Sequence, residues 1–150
     1  MYADPKVAGF VNDNFIPVRV HVKDQADEFK RLGERFNAQW TPTILLVDSN
    51  GDERHRVEGF LPADEFLPQL EIGAAHSAFA GRDFAGAERR FRAIVDGHAK
   101  SDVAAEALYW AGVARYKATG DASALSDTAR AFSESYSQST WAKKASVWAA

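Results

Sequence analysis

The chain has 150 residues, of which 46% are hydrophobic and 26% charged, a composition typical of soluble globular proteins. Its net charge of −3 and pI near 5.8 give no reason to expect nucleic acid or an anionic membrane as a partner. No apolar run approaches the roughly 20 residues that span a bilayer, and the opening MYADPKVAGF lacks the features of a signal peptide. We therefore expect a cytoplasmic protein of one domain or two small units.

The residue inventory argues against catalysis by this chain. It contains no cysteine, which excludes disulfides, thiolate chemistry and zinc sites built on sulfur. The four histidines lack ligand spacing, and although His21 and His55 could face each other across strands, we expect no metal and no cofactor. No phosphate-binding loop and no suitably spaced carboxylate pair is present. No residue is predicted to be catalytic.

The first elements are a helix and a strand. In DPKVAGFVNDN, Asp4 is a candidate N-cap and Pro5 occupies the first helical position. Residues 15–22, FIPVRVHV, then place apolar side chains at every second position, which predicts a half-buried strand.

A helix and a hairpin are predicted next. DQADEFKRLGERFNA has the periodicity of an amphipathic helix, and TILLVD is typical of a strand buried on both faces. Asn50-Gly51 is a strong hairpin signal, after which DERHRVEGF returns as a more polar strand near the sheet edge. A helix is expected from Pro62, with Pro68 either kinking it or marking a later start.

The strand signals stop near residue 70, and the remainder is rich in alanine and periodic aromatic residues. A faint repeat of about 40 residues aligns GRDFAGAERRFRAI with GDASALSDTARAFSES. Alanines are expected to permit close helix approach, and aromatics to fill the spaces between the helices. The C-terminal WAKKASVWAA is expected to begin a third helix pair, because its two tryptophans would be costly to expose.

The stretch WTPT presents a problem, because Pro42 stands directly before an apolar strand and cannot donate a ladder hydrogen bond. Thr41-Pro42-Thr43 with the elements around it resembles the C-terminal two-thirds of the thioredoxin family, over roughly residues 2–75. That resemblance implies a cis Thr41–Pro42 bond, with Trp40 partly buried beside it. It also implies that the family's first strands and Cys-x-x-Cys lie before residue 1, in either a truncated chain or, slightly less favoured, a degenerate relative.

The second half is similar to tetratricopeptide repeats. The similarity lies in the segments DFAGAERRF and ALYWAGVARYKATGD. The combination resembles bacterial thioredoxin-family proteins with a helical-repeat tail. We therefore predict an α/β fold: a partial thioredoxin-like layer over residues 1–72, followed by an all-α tetratricopeptide-like helical hairpin region over residues 73–150.

The leading functional interpretation is a non-catalytic interaction module that binds a protein or peptide through Trp40, Thr41 and Pro42. The alternative is the C-terminal part of a thiol-disulfide oxidoreductase whose Cys-x-x-Cys lies upstream, and a third is a purely structural role. The reading frame upstream of Met1 would separate a fragment from a complete chain. A homodimer is also expected, since the predicted strands at residues 15–22 and 43–48 would otherwise lack their shared neighbour. Direct antiparallel pairing of these two strands within one chain is the alternative, and a partly disordered layer is the least favoured outcome.

The purified chain is predicted to show no insulin reduction and no disulfide isomerisation at any pH. Disulfide exchange requires a thiolate, and the chain has no cysteine to form one. A turbidity assay of insulin reduction checks this. Activity above the buffer blank, in protein shown to be free of contaminating thioredoxin, would contradict the prediction.

Overall fold

A computed structural model describes residues 1–149. The elements, in chain order, are α1 (Pro5–Asn14), α2 (Ala26–Phe36), β1 (Thr43–Val47), β2 (Glu53–Glu58), α3 (Ala63–Ala80), α4 (Phe84–Gly97), α5 (Ala104–Thr119), α6 (Ser123–Glu134), α7 (Thr140–Ala145) and a 3-10 turn (Ser146–Trp148). The predicted fold class, a small α/β layer followed by helices, is confirmed. Contacts divide the chain into an N-terminal unit, Met1–Leu70, and a helical unit from Glu71 onward. Every helix within residues 1–149 is too short or too polar to span a bilayer.

Helix α1 begins as the sequence predicts. The Asp4 carboxylate accepts hydrogen bonds from the backbone N–H groups of Lys6 and Val7, and Pro5 takes the first helical position, where no N–H is needed. Val7 is the residue of α1 that is buried. Helix α2 likewise confirms the predicted amphipathic helix.

The predicted strand over residues 15–22 is wrong. Residues 15–21 are irregular, and no backbone group of residues 16–20 is bonded to another backbone group within the described chain. Ile16 is 93% exposed and Val18 80%. Alternating apolar residues can mark one face of a strand, but a strand also needs a neighbour to satisfy its backbone. Among the described residues the sheet consists of β1 and β2 alone.

The predicted hairpin is confirmed. Strands β1 and β2 pair antiparallel, with Thr43 opposite Glu58 and a register shift beyond Leu46. Gly51 turns the chain at φ +84°, where glycine carries no steric penalty. Asp48 closes the turn, its carboxylate accepting from the backbone N–H groups of Asn50 and Asp52.

Strand β1 is not buried on both faces, contrary to prediction. Leu46 is 4% exposed, whereas its neighbour Val47 is 38% exposed. One face of the hairpin packs on helices in a core made of Val7, Leu46, Val57, Phe66 and Leu70. On the other face, Leu45 is half-buried opposite Arg56.

Helix α3 begins just after Pro62 and continues to Ala80. Pro68 lies inside it with less than 2% of its surface exposed, so it does not mark a later start. The proline lacks the N–H that would bond the carbonyl of Asp64, four residues earlier. The helix nevertheless continues through Pro68, because Phe66 and Leu70 on either side are buried in the core.

The helical unit is built as the composition predicts. Its main core joins Ile72 of α3 to residues of α4 and α5, including Phe91 and Ile94 at 0% exposure. The predicted small residues Ala87, Ala111 and Ala114 are fully buried, Ala74 is 8% exposed, and Ala78 packs against the core. The predicted inter-helix aromatics pack as expected, except Tyr116, which is 38% exposed.

The two C-terminal tryptophans pack on α5 rather than forming an exposed stripe. The Trp148 ring stacks on Tyr109 at 4.7 Å between centroids, and Trp141 lies 5.2 Å from the same ring. Both belong to a second core cluster centred on Leu108 and Phe132. The likeness of these helices to tetratricopeptide repeats stays a prediction.

Gly112 is predicted to be essential to the packing of α5 on α6. A Cβ there would lie 2.1 Å from Oγ1 of Thr128, a buried side chain that itself donates to the Ala124 carbonyl. Gly112→Ala should therefore lower the free energy of unfolding by about 1–3 kcal/mol. Urea denaturation followed by circular dichroism measures this.

Gly97→Ala is the matched control, because a Cβ at this helical position would meet nothing within 4 Å. It should leave stability unchanged or slightly raised. Equal losses in the two variants would show that the close approach at Gly112 does not matter.

Candidate functional site

The predicted site residues follow the end of α2. Asn37 takes the left-handed conformation at φ 50° and its N–H bonds the carbonyls of Gly33 and Glu34, which ends the helix. The N–H of Ala38 also bonds the Gly33 carbonyl, at 2.9 Å. The chain then crosses from α2 to β1 through residues 38–42, and we call this segment the WTP loop.

Arg56 of β2 anchors the start of the WTP loop. Its guanidinium donates to the carbonyls of Phe36 and Asn37, the latter at 3.3 Å, and so satisfies acceptors at the end of α2. Carboxylates of Glu53 and Glu58 bond the same guanidinium at 2.8 and 2.9 Å. Hydrogen bonds to these two carboxylates raise the pKa of Arg56, so the anchor stays charged.

Sequence reasoning missed this role of Arg56. The sequence DERHRVEGF predicts an edge strand that carries solvated charges. Nothing in it indicates that Arg56 bonds the carbonyl of Phe36, 20 residues earlier in the chain. The antiparallel hairpin is what brings β2 beside the end of α2. An arginine flanked by two glutamates on one strand, at positions 53, 56 and 58, was the available signal.

The Thr41–Pro42 bond is cis, as the resemblance implied. The Pro42 carbonyl accepts from the Gly59 N–H at 2.8 Å, extending the β1–β2 ladder by one bond. Oγ1 of Thr43 donates to the Trp40 carbonyl at 2.7 Å and closes the loop on itself. A proline suits this position because the ladder uses only its carbonyl, and a proline has no N–H to leave unpaired.

Trp40 is 70% exposed, so the expectation that it would be partly buried is wrong. No groove of the N-terminal unit receives its ring. Thr41 and Pro42 are exposed too, and neither backbone group of Thr41 is hydrogen-bonded within residues 1–149. Phe60, which directly follows the Gly59 bonded to Pro42, is also 70% exposed. The loop therefore offers aromatic surface and free backbone groups together.

The histidines lie elsewhere, each with a separate partner. The suggested pairing of His21 with His55 is wrong, because His21 contacts Asp24 at 3.0 Å and His55 contacts the Gln69 side chain at 2.6 Å. Within the described residues no three potential metal ligands cluster. The WTP loop itself carries no titratable side chain.

Comparison with known proteins concerns the N-terminal part of the chain. The family described as Thioredoxin-like domain matches residues 1–74. The thiol:disulfide interchange protein DsbD of Haemophilus influenzae strain PittGG is 36% identical over 72 residues, and that of Photorhabdus laumondii is 32% identical over the same length.

These alignments cover 47% of this chain but 12% of each relative, so the chain spans a small part of the proteins it matches. No solved structure matches the chain significantly. The cis proline before β1, the hairpin and the helix that follows agree with the family match in position. Residues 1–74 therefore resemble a thioredoxin-like domain both in sequence and in the position of these elements.

Proposed function

We propose that the chain is a non-catalytic thioredoxin-like interaction module that binds a protein or peptide segment on the WTP loop. The observation that carries the proposal is the 70% exposure of Trp40 on a loop that is bonded at both ends. Arg56 holds the loop where it leaves α2, and the Pro42–Gly59 bond holds it where it enters β1. A loop fixed in this way loses little conformational entropy when a partner binds.

The exposed groups suit an extended segment. Tryptophan is enriched among residues that dominate binding energy, because its ring buries a large area with few rotatable bonds. The free N–H and carbonyl of Thr41 can pair with the backbone of such a segment, independently of its sequence. Phe60 adds a second apolar contact next to the ladder. The partner is thus a polypeptide in extended conformation, with apolar side chains toward Trp40 and Phe60.

A second function, part of a thiol-disulfide oxidoreductase, is favoured by the similarity to proteins named for thiol:disulfide interchange. In that case the WTP loop would hold a substrate segment against a dithiol that this chain lacks. The DNA directly upstream of the Met1 codon separates the two functions. In-frame codons for a Cys-x-x-Cys would favour the oxidoreductase, and a stop codon would remove it.

Peptides selected from a displayed library against the chain are predicted to depend on Trp40. Trp40→Ala removes the ring without touching the core, so binding should weaken at least about tenfold, as expected for a contact worth more than about 1.4 kcal/mol. Fluorescence anisotropy of labelled peptides measures the dissociation constants. Val147→Ala, at a side chain 76% exposed in the helical unit, is the control and should bind as the parent chain does.

Two results would contradict the proposal. One is a library from which no peptide is enriched. The other is a set of peptides that bind Trp40→Ala as tightly as they bind the parent chain.

We further propose a homodimer through the N-terminal unit. Within residues 1–149 the second edge of β1 pairs with no strand, and no backbone group of residues 16–20 bonds another backbone group. Exchange of residues 15–22 between two copies would satisfy both and bury Ile16 and Val18.

Sedimentation velocity at micromolar concentration is predicted to show a species of twice the 16.5 kDa chain mass. Ile16→Lys should shift it toward monomer, because a charge would then lie in the exchanged strand. Lys23→Glu, also exposed but outside that strand, serves as the control. A monomer at all concentrations would contradict the exchange.

A further inference from the structure

Strand β2 brings a carboxylate to the WTP loop. Residues 38–42 carry no charged side chain, and neither do Gly59 and Phe60, which follow β2. Glu58 is the last residue of β2 and stands opposite Thr43, the first residue of β1. The register of the hairpin therefore places Glu58 at the end where the WTP loop enters the sheet.

Glu58 lies near Trp40 through Thr43. Residues that stand opposite each other on paired strands have their side chains side by side on one face of the sheet, so the Glu58 side chain begins next to that of Thr43. The Thr43 hydroxyl in turn donates to the Trp40 carbonyl at 2.7 Å. A long partner side chain that packs on the Trp40 ring can therefore reach the Glu58 carboxylate.

The charge that this end of the hairpin presents to a partner is negative. Arg56 bonds two carboxylates, those of Glu53 and Glu58, so one positive charge faces two negative charges. The Glu58 side chain is 49% exposed, whereas that of Arg56 is 26% exposed. The neighbouring Arg35 donates to the Gly51 carbonyl, in the turn at the other end of the hairpin. A partner side chain thus meets a carboxylate and not a guanidinium.

Trp40 favours a cation as well. Its ring is 70% exposed, and the face of an indole ring attracts a positive charge placed over it. The chain itself contains such a contact, because the Lys144 ammonium lies 3.9 Å from the centroid of the Trp141 ring. An exposed indole and an exposed carboxylate on adjacent positions of the fold together suit one positively charged side chain.

We propose that the polypeptide bound by the WTP loop carries an arginine that stacks on Trp40 and pairs with Glu58. Arginine suits the two contacts better than lysine, because a planar guanidinium both stacks on a ring and bonds a carboxylate. Its aliphatic stem packs on apolar surface, so it is compatible with the apolar contacts at Trp40 and Phe60. This inference rests on the proposed function and adds to it the charge of the partner.

Peptides enriched from a random displayed library against the parent chain test the inference. The enriched peptides should share an arginine among apolar residues. Each peptide is then synthesised with arginine and with citrulline, which keeps the shape of the side chain and removes its charge. Citrulline should weaken binding about three- to tenfold, as expected for an exposed ion pair combined with a cation–π contact. Fluorescence anisotropy measures both dissociation constants.

Glu58→Gln makes the matching change in the protein, because the amide keeps the size of the side chain. It should weaken binding of the arginine peptide about threefold and leave binding of the citrulline peptide unchanged. This non-additivity identifies the two groups as partners. Asp27→Asn is the control, since it removes an exposed carboxylate at the opposite end of α2 from the WTP loop. It should bind both peptides as the parent chain does.

The dependence of binding on salt provides a second measurement, made on the parent chain alone. Added sodium chloride screens an exposed ion pair, so it should weaken the arginine peptide more than the citrulline peptide. Circular dichroism establishes that Glu58→Gln is folded. If this variant does not fold, the comparison of the two peptides across salt concentrations decides.

The inference is overturned, and the proposed function is left standing, by peptides that need Trp40 but lack arginine. The same holds for peptides that need Trp40 but bind equally well with citrulline, with Glu58→Gln or at high salt. Failure of the proposed function gives a different result, because no peptide is then enriched or binding is indifferent to Trp40→Ala.

Discussion

The N-terminal unit depends on the backbone ladder between β1 and β2. Pairing of these two strands satisfies the peptide groups of an apolar segment that otherwise could not be buried. It places Leu46 and Val57 on the same face of the hairpin, in the core with Val7 and Phe66. The same register carries Arg56 to the end of α2 and Gly59 to the carbonyl of Pro42. Both ends of the WTP loop are therefore held by contacts that follow from one hairpin.

A two-stranded sheet leaves much apolar surface in water. Tyr2, Ile16, Val18, Trp40 and Phe60 are each more than half exposed in a unit of about 70 residues. Isolated apolar residues on a surface are ordinary, whereas contiguous apolar patches mark interaction surfaces. The peptide site and the exchanged strand proposed above are two ways of covering it, and they involve different residues of the same unit.

The helical unit follows a different rule. Its core needs no ladder, because each helix satisfies its own backbone and only side chains must fit. Alanines and Gly112 let α5 approach its neighbours closely, and aromatic rings fill the remaining space. Polar groups can then be trapped where helices meet their connections, as Glu71 is beside His98. Close packing of the helices thus accounts both for the dense core of this unit and for the buried Glu71 oxygen.

Periodicity and local signals alone determined most of the secondary structure of this protein. The capping of α1 by Asp4, the amphipathic α2, the Asn50-Gly51 hairpin and the alanine-rich helices all depend on residues within a few positions of one another. The cis bond before Pro42 was predicted from the family resemblance and not from the residues themselves. Absence of cysteine, which decides that this chain cannot exchange disulfides, also needs only the sequence.

Tertiary structure alone decided the features that depend on a distant partner. Residues 15–22 alternate like a strand, yet a strand forms only if another edge receives it, and no edge within residues 1–149 does so. The exposure of Trp40 depends on whether a groove lies beside it. Arg56 bonds Phe36 across 20 positions of the chain, and Glu71 contacts His98 across 27. Local pattern carries no information on such contacts, because the free energy of each depends on the position of groups far away in the chain.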